Sequence, residues 1–135
     1  MDLDQSLTIA GAGMKVQSSR MRVTAENLAN AESTADKPGG EPYRRKTISF
    51  GEEFDRAQQT DLVRVRRYGT DPSDFKTEYK PGHPAADKDG YVQMPNVEPL
   101  VEMMDMREAQ RSYEANLNAF EVSKKMMQRT IDLLR

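Results

Sequence analysis

The chain has no cysteine, no tryptophan and a single histidine among its 135 residues. Without cysteine there can be no disulfide, thiolate metal site or cysteine nucleophile. His83 stands between Gly82 and Pro84 with no second histidine to share a metal ion or serve a nucleophile, which leaves it a structural or solvated loop role. No apolar run approaches the roughly 18 residues that a membrane-spanning helix needs, so no transmembrane segment is expected. The first residues carry Asp2 and Asp4, with no basic n-region and no continuous apolar h-region, so no cleavable secretory signal is expected either. An excess of one charge is also missing. The net charge of −2 gives no global bias toward nucleic acid or an anionic membrane. Hydrophobic residues reach only 36%, against about 45–50% in typical globular domains. The strong core formers that are present cluster at the two ends.

Proline is absent from those ends: all seven prolines fall between Pro38 and Pro99. Each terminal stretch instead keeps a seven-residue apolar rhythm. The first runs Leu3, Leu7, Ala10, Met14, Gln17, Met21, Thr24, Leu28, Ala31, and the second Met103, Met106, Gln110, Tyr113, Leu117, Phe120, Lys124, Met127, Ile131, Leu134. Alternating steps of three and four place side chains on one helical face, and a sustained heptad lets helices lie side by side over a distance. Two long terminal helices are therefore expected. Ile9, Val16 and Val23 form a shoulder beside the first stripe, and Ala119, Met126 and Leu133 a second row on the other helix. One pair of helices cannot cover both stripes and their shoulders, so part of this apolar surface is expected to meet other chains.

The first helix should begin near Asp2 to Asp4, whose carboxylates suit the positive end of the helix dipole. It should fray near Ala31, before the polar run Glu32 to Gly40. Gly11 and Gly13 each cost about 1 kcal/mol relative to Ala in a helix; they permit close helix approach or mark a locally weak helix. Asn96 reads as the N-cap of the last helix, with Pro99 in its first turn and Glu98, Glu102 and Asp105 at its start. Lys124, Lys125, Arg129 and Arg135 load its end. Between the helices, Lys46–Phe50, Leu62–Tyr68 and the alternation Phe75, Thr77, Tyr79 read as strands, with a hairpin turn at Gly69-Thr70-Asp71-Pro72, while the residues around Phe54 fit a helical turn. The fold class is mainly α with a small β subdomain. Residues 1–32 and 96–135 supply long helices in a coiled-coil-like layer, and 33–95 a central region of hairpin and loops.

Few residues suggest chemistry. Asp87-Lys88-Asp89-Gly90 has the look of a calcium loop, but that alignment puts Ala85 in the first ligand position and Asn96 where a bidentate Glu belongs, so a surface turn is the better reading. Arg64, Arg66 and Arg67 alternate along a strand, too sparse for phosphate binding. The nine methionines at helical spacings read as adaptable packing residues. No phosphate loop, dinucleotide fingerprint or carboxylate pair is present. The expectation is no enzyme, no cofactor, no metal and no nucleic acid.

One resemblance gives these features a common reading. Ile9-Ala10-Gly11-Ala12-Gly13-Met14, Gln17-Ser18-Ser19-Arg20-Met21 and Glu26-Asn27-Leu28-Ala29-Asn30-Ala31 resemble the N-terminal signature of bacterial flagellar rod and hook proteins. Val101-Glu102-Met103-Met104 and Ala109-Gln110-Arg111-Ser112-Tyr113-Glu114-Ala115-Asn116 resemble the matching C-terminal signature. Tyr43-Arg44-Arg45-Lys46, Tyr79 to Asp87 and Gly90 to Val97, with the short length, resemble the proximal rod members. The resemblance implies a structural subunit of the basal-body rod, exported uncleaved by the flagellar type III apparatus and located in the periplasm-spanning rod. Its partners would be further copies of itself, other proximal rod proteins and the inner-membrane ring or rod adaptor. Assembly would run through Leu3, Leu7, Met14, Met21, Leu28, Met103, Met106, Tyr113, Leu117, Phe120, Met127, Ile131 and Leu134, with Asn27 and Asn30 of the signature. The competing reading is a soluble coiled-coil adaptor or export chaperone that holds a helical client.

Overall fold

A computed structural model describes residues 2–134; Arg135, counted above among the cations at the end of the last helix, lies outside them. The elements run α1 (Leu3–Ala29), β1 (Lys46–Asp55), β2 (Thr60–Thr70), β3 (Lys76–Tyr79), β4 (Tyr91–Met94) and α2 (Pro99–Leu133). The mainly helical class with a small β region holds. At about 1.5 Å per residue, the 27 residues of α1 and 35 of α2 extend roughly 40 and 52 Å.

Asp2 caps α1. Its carboxylate accepts the Asp4 N–H at 3.4 Å, and the Gln5 side chain reaches back to accept the Asp2 N–H at 3.3 Å, the reciprocal arrangement of a capping box. The helix stops at Ala29 without a glycine. Asn30 closes it, its amide donating to the Glu26 carbonyl at 2.8 Å and its side-chain oxygen accepting the Ser33 hydroxyl at 3.0 Å. At α2 the expected cap is corrected. Asn96 lies three residues before Pro99, and its side chain is bound to Arg45, Asp71 and Ser73. The last turn of α2 holds no basic residue; Arg129 precedes it.

The chain forms two compact units. The first gathers α1 up to Met21, Ile48–Arg67 and α2 from Arg107. Here Ala10, Gly13 and Val16 are buried on α1 and Ala109 on α2. A Cβ built on Gly13 would meet the Asn116 side chain at 2.7 Å, and Arg20 pairs with Glu108 at 3.5 Å. Moving down α1 from Arg20 to Gly13 moves up α2 from Glu108 to Asn116, so the two helices pack antiparallel in this unit, and Gly13 lets them close. Gly11, by contrast, has nothing within 4 Å of its missing Cβ. β1 and β2 form a two-stranded ribbon joined by the four-residue turn 56–59. Asp55 accepts the N–H groups of Ala57 and Gln58 at 2.9 and 3.2 Å, and Gln59 takes a φ of 50°. This corrects the sequence reading twice: the hairpin turn lies here and not at Gly69 to Pro72, and Phe54 is in a strand, not a helical turn.

The second unit holds Arg22–Thr47 and Tyr68–Met106. In it β3 pairs antiparallel with β4, Tyr79 opposite Tyr91 and Lys76 opposite Met94. The sequence reading missed β4. Its inward residues Val92 and Met94 join Ala85 in a small apolar cluster, flanked by Ala35 and Ala86, while Tyr91 and Gln93 face out. The Asp87–Gly90 turn is self-contained. Asp87 accepts the N–H groups of Asp89 and Tyr91 at 2.9 and 2.8 Å, and Gly90 has a φ of +87° that suits glycine. His83 is tied into the same loop, its Nδ1 accepting the Ala85 N–H at 3.1 Å.

Candidate functional site: a polar hub and exposed helical rows

In the second unit, beside the small apolar cluster, part of the interior is polar. Asn27, near the end of α1, is almost fully buried, and its amide is satisfied on every side. Nδ2 donates to the Lys46 carbonyl at 2.9 Å and to Glu102 Oε2 at 3.1 Å; Oδ1 accepts the Lys46 N–H at 2.8 Å and the Tyr43 hydroxyl at 2.9 Å. Glu102, on the first turn of α2, is completely buried. Its other oxygen meets the guanidinium of Arg45, which also lies 3.6 Å from Asp71 and 3.9 Å from Asp105. A buried carboxylate is tolerated only when paired and hydrogen-bonded, and Asn27 with Arg45 supply both conditions.

Asn96 extends the hub. It accepts the Arg45 N–H at 2.8 Å and donates to the carbonyls of Asp71 and Ser73 at 3.1 and 3.2 Å. Arg44 donates to the same two carbonyls at 2.9 Å each and stacks over the Phe75 ring at 4.1 Å. Burial disfavours the charge on Arg45, yet its bond to Glu102 and the fields of Asp71 and Asp105 outweigh that and raise its pKa. Burial likewise pushes the Tyr43 hydroxyl up. The Ser73 N–H and hydroxyl hold the Asp71 carboxyl below its ordinary range. At the surface, Lys46 bonds Glu26 at 2.8 Å, which lowers the Glu26 pKa and raises that of Lys46.

Asn27 and Glu102 of the hub are buried, and their polar atoms are bonded within the chain. Among the described residues, no three of His, Asp and Glu come together in a way that could hold a metal ion. A groove of about 460 Å³ in the same unit is lined by Leu28, Met94, Pro95 and Val97 together with Lys76 and Glu78. No helix of the described residues is long and apolar enough to cross a membrane.

The residues expected to mediate assembly divide by exposure. Asn27 makes its four hydrogen bonds to its own chain. Leu3, Leu7, Met14, Met21, Leu28 and Asn30 on or just beyond α1 are partly buried, beside the buried row that includes Val16 and Val23. On or just beyond α2, Met106, Tyr113, Phe120 and Met127 are partly buried, and Met103, Leu117, Ile131 and Leu134 are exposed, Leu117 at 37% and Ile131 at 56%. Leu100, Val101, Met104, Val122, Met126 and Leu133 are exposed as well. The hub partners Tyr43, Arg45 and Asn96 were not singled out from sequence as a cluster. Their polar character in segments that carry the resemblance was the available signal.

Comparison with known proteins places these features. The family model described as flagellar basal body rod FlgEFG protein C-terminal matches residues 88–133. The flagellar basal-body rod protein FlgC of Agrobacterium fabrum is 52% identical over 133 residues, covering 98% of this chain and 96% of the relative. The FlgC proteins of Yersinia enterocolitica and Bacillus subtilis are 40% and 38% identical, with 98% and 95% of this chain covered. Helices at both ends, a small β region and a stapled polar interior thus belong to a flagellar basal-body rod protein. Within that class, the near-complete coverage by these relatives makes the chain a member of the FlgC family.

Proposed function

We propose that the chain is a structural subunit of the proximal part of the flagellar rod, built into the basal body through its terminal helices. Further copies of itself and other rod proteins are its neighbours. In this reading the subunit reaches the rod uncleaved through the flagellar export apparatus and contributes to the shaft that carries torque outward. It performs no catalysis.

The observation that carries the proposal is the outer surface of α2. Along roughly 52 Å of helix it exposes Leu100, Met104, Leu117, Val122, Ile131 and Leu133, large apolar side chains that an isolated subunit would keep in water. Large apolar side chains exposed in this number on one helix support contacts with other protein chains. Membership of a rod-protein family supports reading that contact as one made in assembly. Adaptor or chaperone activity has no comparable support among the relatives.

The test is a strain whose only copy carries Leu117→Asp. A carboxylate with no cationic partner in a closed seam costs several kcal/mol even after relaxation, and every copy incurs it. We expect the variant to be secreted, absent from purified basal bodies and unable to support swimming, while Arg66→Ala on the exposed face of β2 swims normally. Normal swimming by Leu117→Asp would remove this face from the assembly. Wild-type protein confined to the cytoplasm and missing from basal bodies would overturn the whole reading.

A further inference from the structure

The two edges of the β3–β4 sheet are finished differently. Lys80 donates its N–H to the Gly90 carbonyl at 2.9 Å, and Tyr79 stands opposite Tyr91. Hydrogen-bonded and non-hydrogen-bonded pairs alternate along an antiparallel ladder, so Thr77 and Tyr79 turn their backbone N–H and C=O groups away from β4, and Tyr91 turns its own away from β3. On the β4 side Asp87 closes the edge. Its carboxylate accepts the Tyr91 N–H at 2.8 Å, and its N–H donates to the Tyr91 carbonyl at 2.9 Å. The β3 side is left open. Among the described residues none hydrogen-bonds the outward backbone groups of Thr77 and Tyr79, and all four residues of β3 are exposed.

Donors and acceptors at strand spacing fit one kind of occupant, another extended backbone. The charges select which one. β3 reads Lys76-Thr77-Glu78-Tyr79 and is followed by Lys80 and Pro81. Set antiparallel to a copy of itself about Thr77, it pairs that residue with its own counterpart, in the hydrogen-bonding parity that the edge offers. Lys76 then stands opposite Glu78 of the second copy, and Glu78 opposite Lys76 of the second copy. Opposite charges across a strand pair stabilise it and like charges weaken it. The register centred on Glu78 sets Glu78 against Glu78 and Lys76 against Lys80. The register centred on Tyr79 puts Pro81, which has no N–H, opposite Thr77. Within the subunit Lys76 pairs with Glu98 and Lys80 with Glu78, all four side chains being exposed and able to exchange partners.

We propose that the outer edge of β3 is a self-pairing site, where a second copy of this chain adds its own β3 antiparallel to make a four-stranded sheet. A two-fold pair closes on itself and does not propagate. It joins two subunits and no more, and it stands apart from the helical contacts proposed above. Each edge is only four residues long, so the dissociation constant is on the order of 1 mM and the subunit is single at micromolar concentration.

The full-length chain has no cysteine, so Thr77→Cys puts a single thiol on each copy at the two-fold centre, where paired Cα atoms lie about 5.5 Å apart. A short bis-maleimide should link this variant into dimers, and should link Glu121→Cys, on the exposed surface of α2, far less. Small-angle scattering of the wild type between about 10 µM and 1 mM should show the monomer passing into a dimer. Adding Glu78→Lys to the Thr77→Cys chain sets lysine against lysine twice and should cut cross-linking at least about fivefold. Adding Lys76→Glu as well restores both opposite-charge pairs and should restore the cross-link. A wild type that stays monomeric to the highest concentration, equal linking of Thr77→Cys and Glu121→Cys, or pairing that Glu78→Lys leaves intact would each overturn the proposal. None of these outcomes bears on the rod reading, which the swimming test decides separately.

Discussion

Replacing Asn27 by Ala tests whether the polar hub holds the second unit together. The substitution removes one amide and strips four partners at once. Lys46 loses a bond at its N–H and another at its carbonyl, the Tyr43 hydroxyl loses its acceptor, and Glu102 loses the donor on Oε2. The last loss is the largest. A hydrogen bond to a charged group contributes about 1.5–3 kcal/mol, and leaving such a group buried without it costs the desolvation as well. Lys46 is exposed and Tyr43 only partly buried, so water replaces part of what they lose, at about 0.5–1 kcal/mol each. The sum is about 2.5–5 kcal/mol, a large share of the roughly 5–15 kcal/mol that holds a typical domain folded. Urea unfolding followed by far-ultraviolet circular dichroism should show a clearly lowered midpoint. Asn27→Asp sharpens the test. It keeps the shape but sets a second carboxylate about where Nδ2 now lies, 3.1 Å from Glu102 Oε2. Two such carboxylates raise the pKa of one of them, and a raised folded-state value means stability present at low pH and lost as pH rises through it. Asn27→Asp should therefore be worse than Asn27→Ala at neutral pH and recover on acidification. A loss below about 1 kcal/mol for Asn27→Ala, or an Asn27→Asp with no recovery on acidification, would refute the hub as the structural anchor.

Three further outcomes are expected. Gly11→Ala, in open space, should stabilise the subunit by up to about 1 kcal/mol, whereas Gly13→Ala must displace Asn116 and should stabilise less or destabilise; equal gains in thermal midpoint would contradict the close approach at Gly13. The Asp71 carboxyl is held below its ordinary pKa by Ser73, so its contribution to stability is complete above about pH 4 and lost as pH falls through the folded value; Asp71→Asn should flatten the acid limb of the stability profile, and an unchanged limb would count against it. The isolated subunit in solution should be a monomer whose circular dichroism shows well short of the 27 and 35 helical residues of α1 and α2, since helices draw most of their stability from packing; a fully helical monomer at micromolar concentration would show that the apolar rows need no neighbours.

The helices were legible because a seven-residue apolar rhythm is a local signal that survives without knowledge of any partner. β4 was equally local, with Val92 and Met94 alternating against Tyr91 and Gln93, but four residues between glycine- and proline-rich loops gave too short a period to stand out. The hairpin went astray for another reason. Gly69 and Pro72 are strong turn formers, whereas the actual turn uses Asp55 and a Gln59 in a conformation that glutamine seldom advertises. The hub was out of reach for a reason of distance along the chain. Asn27 meets Lys46 and Glu102 across 19 and 75 positions, and nothing in the neighbourhood of any one of them reveals the others. Asn96 was misread for the same reason: near a helix start, an asparagine looks like a cap until its remote acceptors are seen.

The Asn27 amide also sets how the end of α1 responds to a pull along its axis. Apolar contact yields gradually, exchanging one neighbour for the next as a helix slides. Bonds of 2.8 to 3.1 Å do not. A slip of a single turn carries Asn27 about 5.4 Å, beyond the reach of any hydrogen bond, so all four of its attachments part together. The helix end is thus keyed in place like a peg in a slot, stiff against small displacements and abrupt in release.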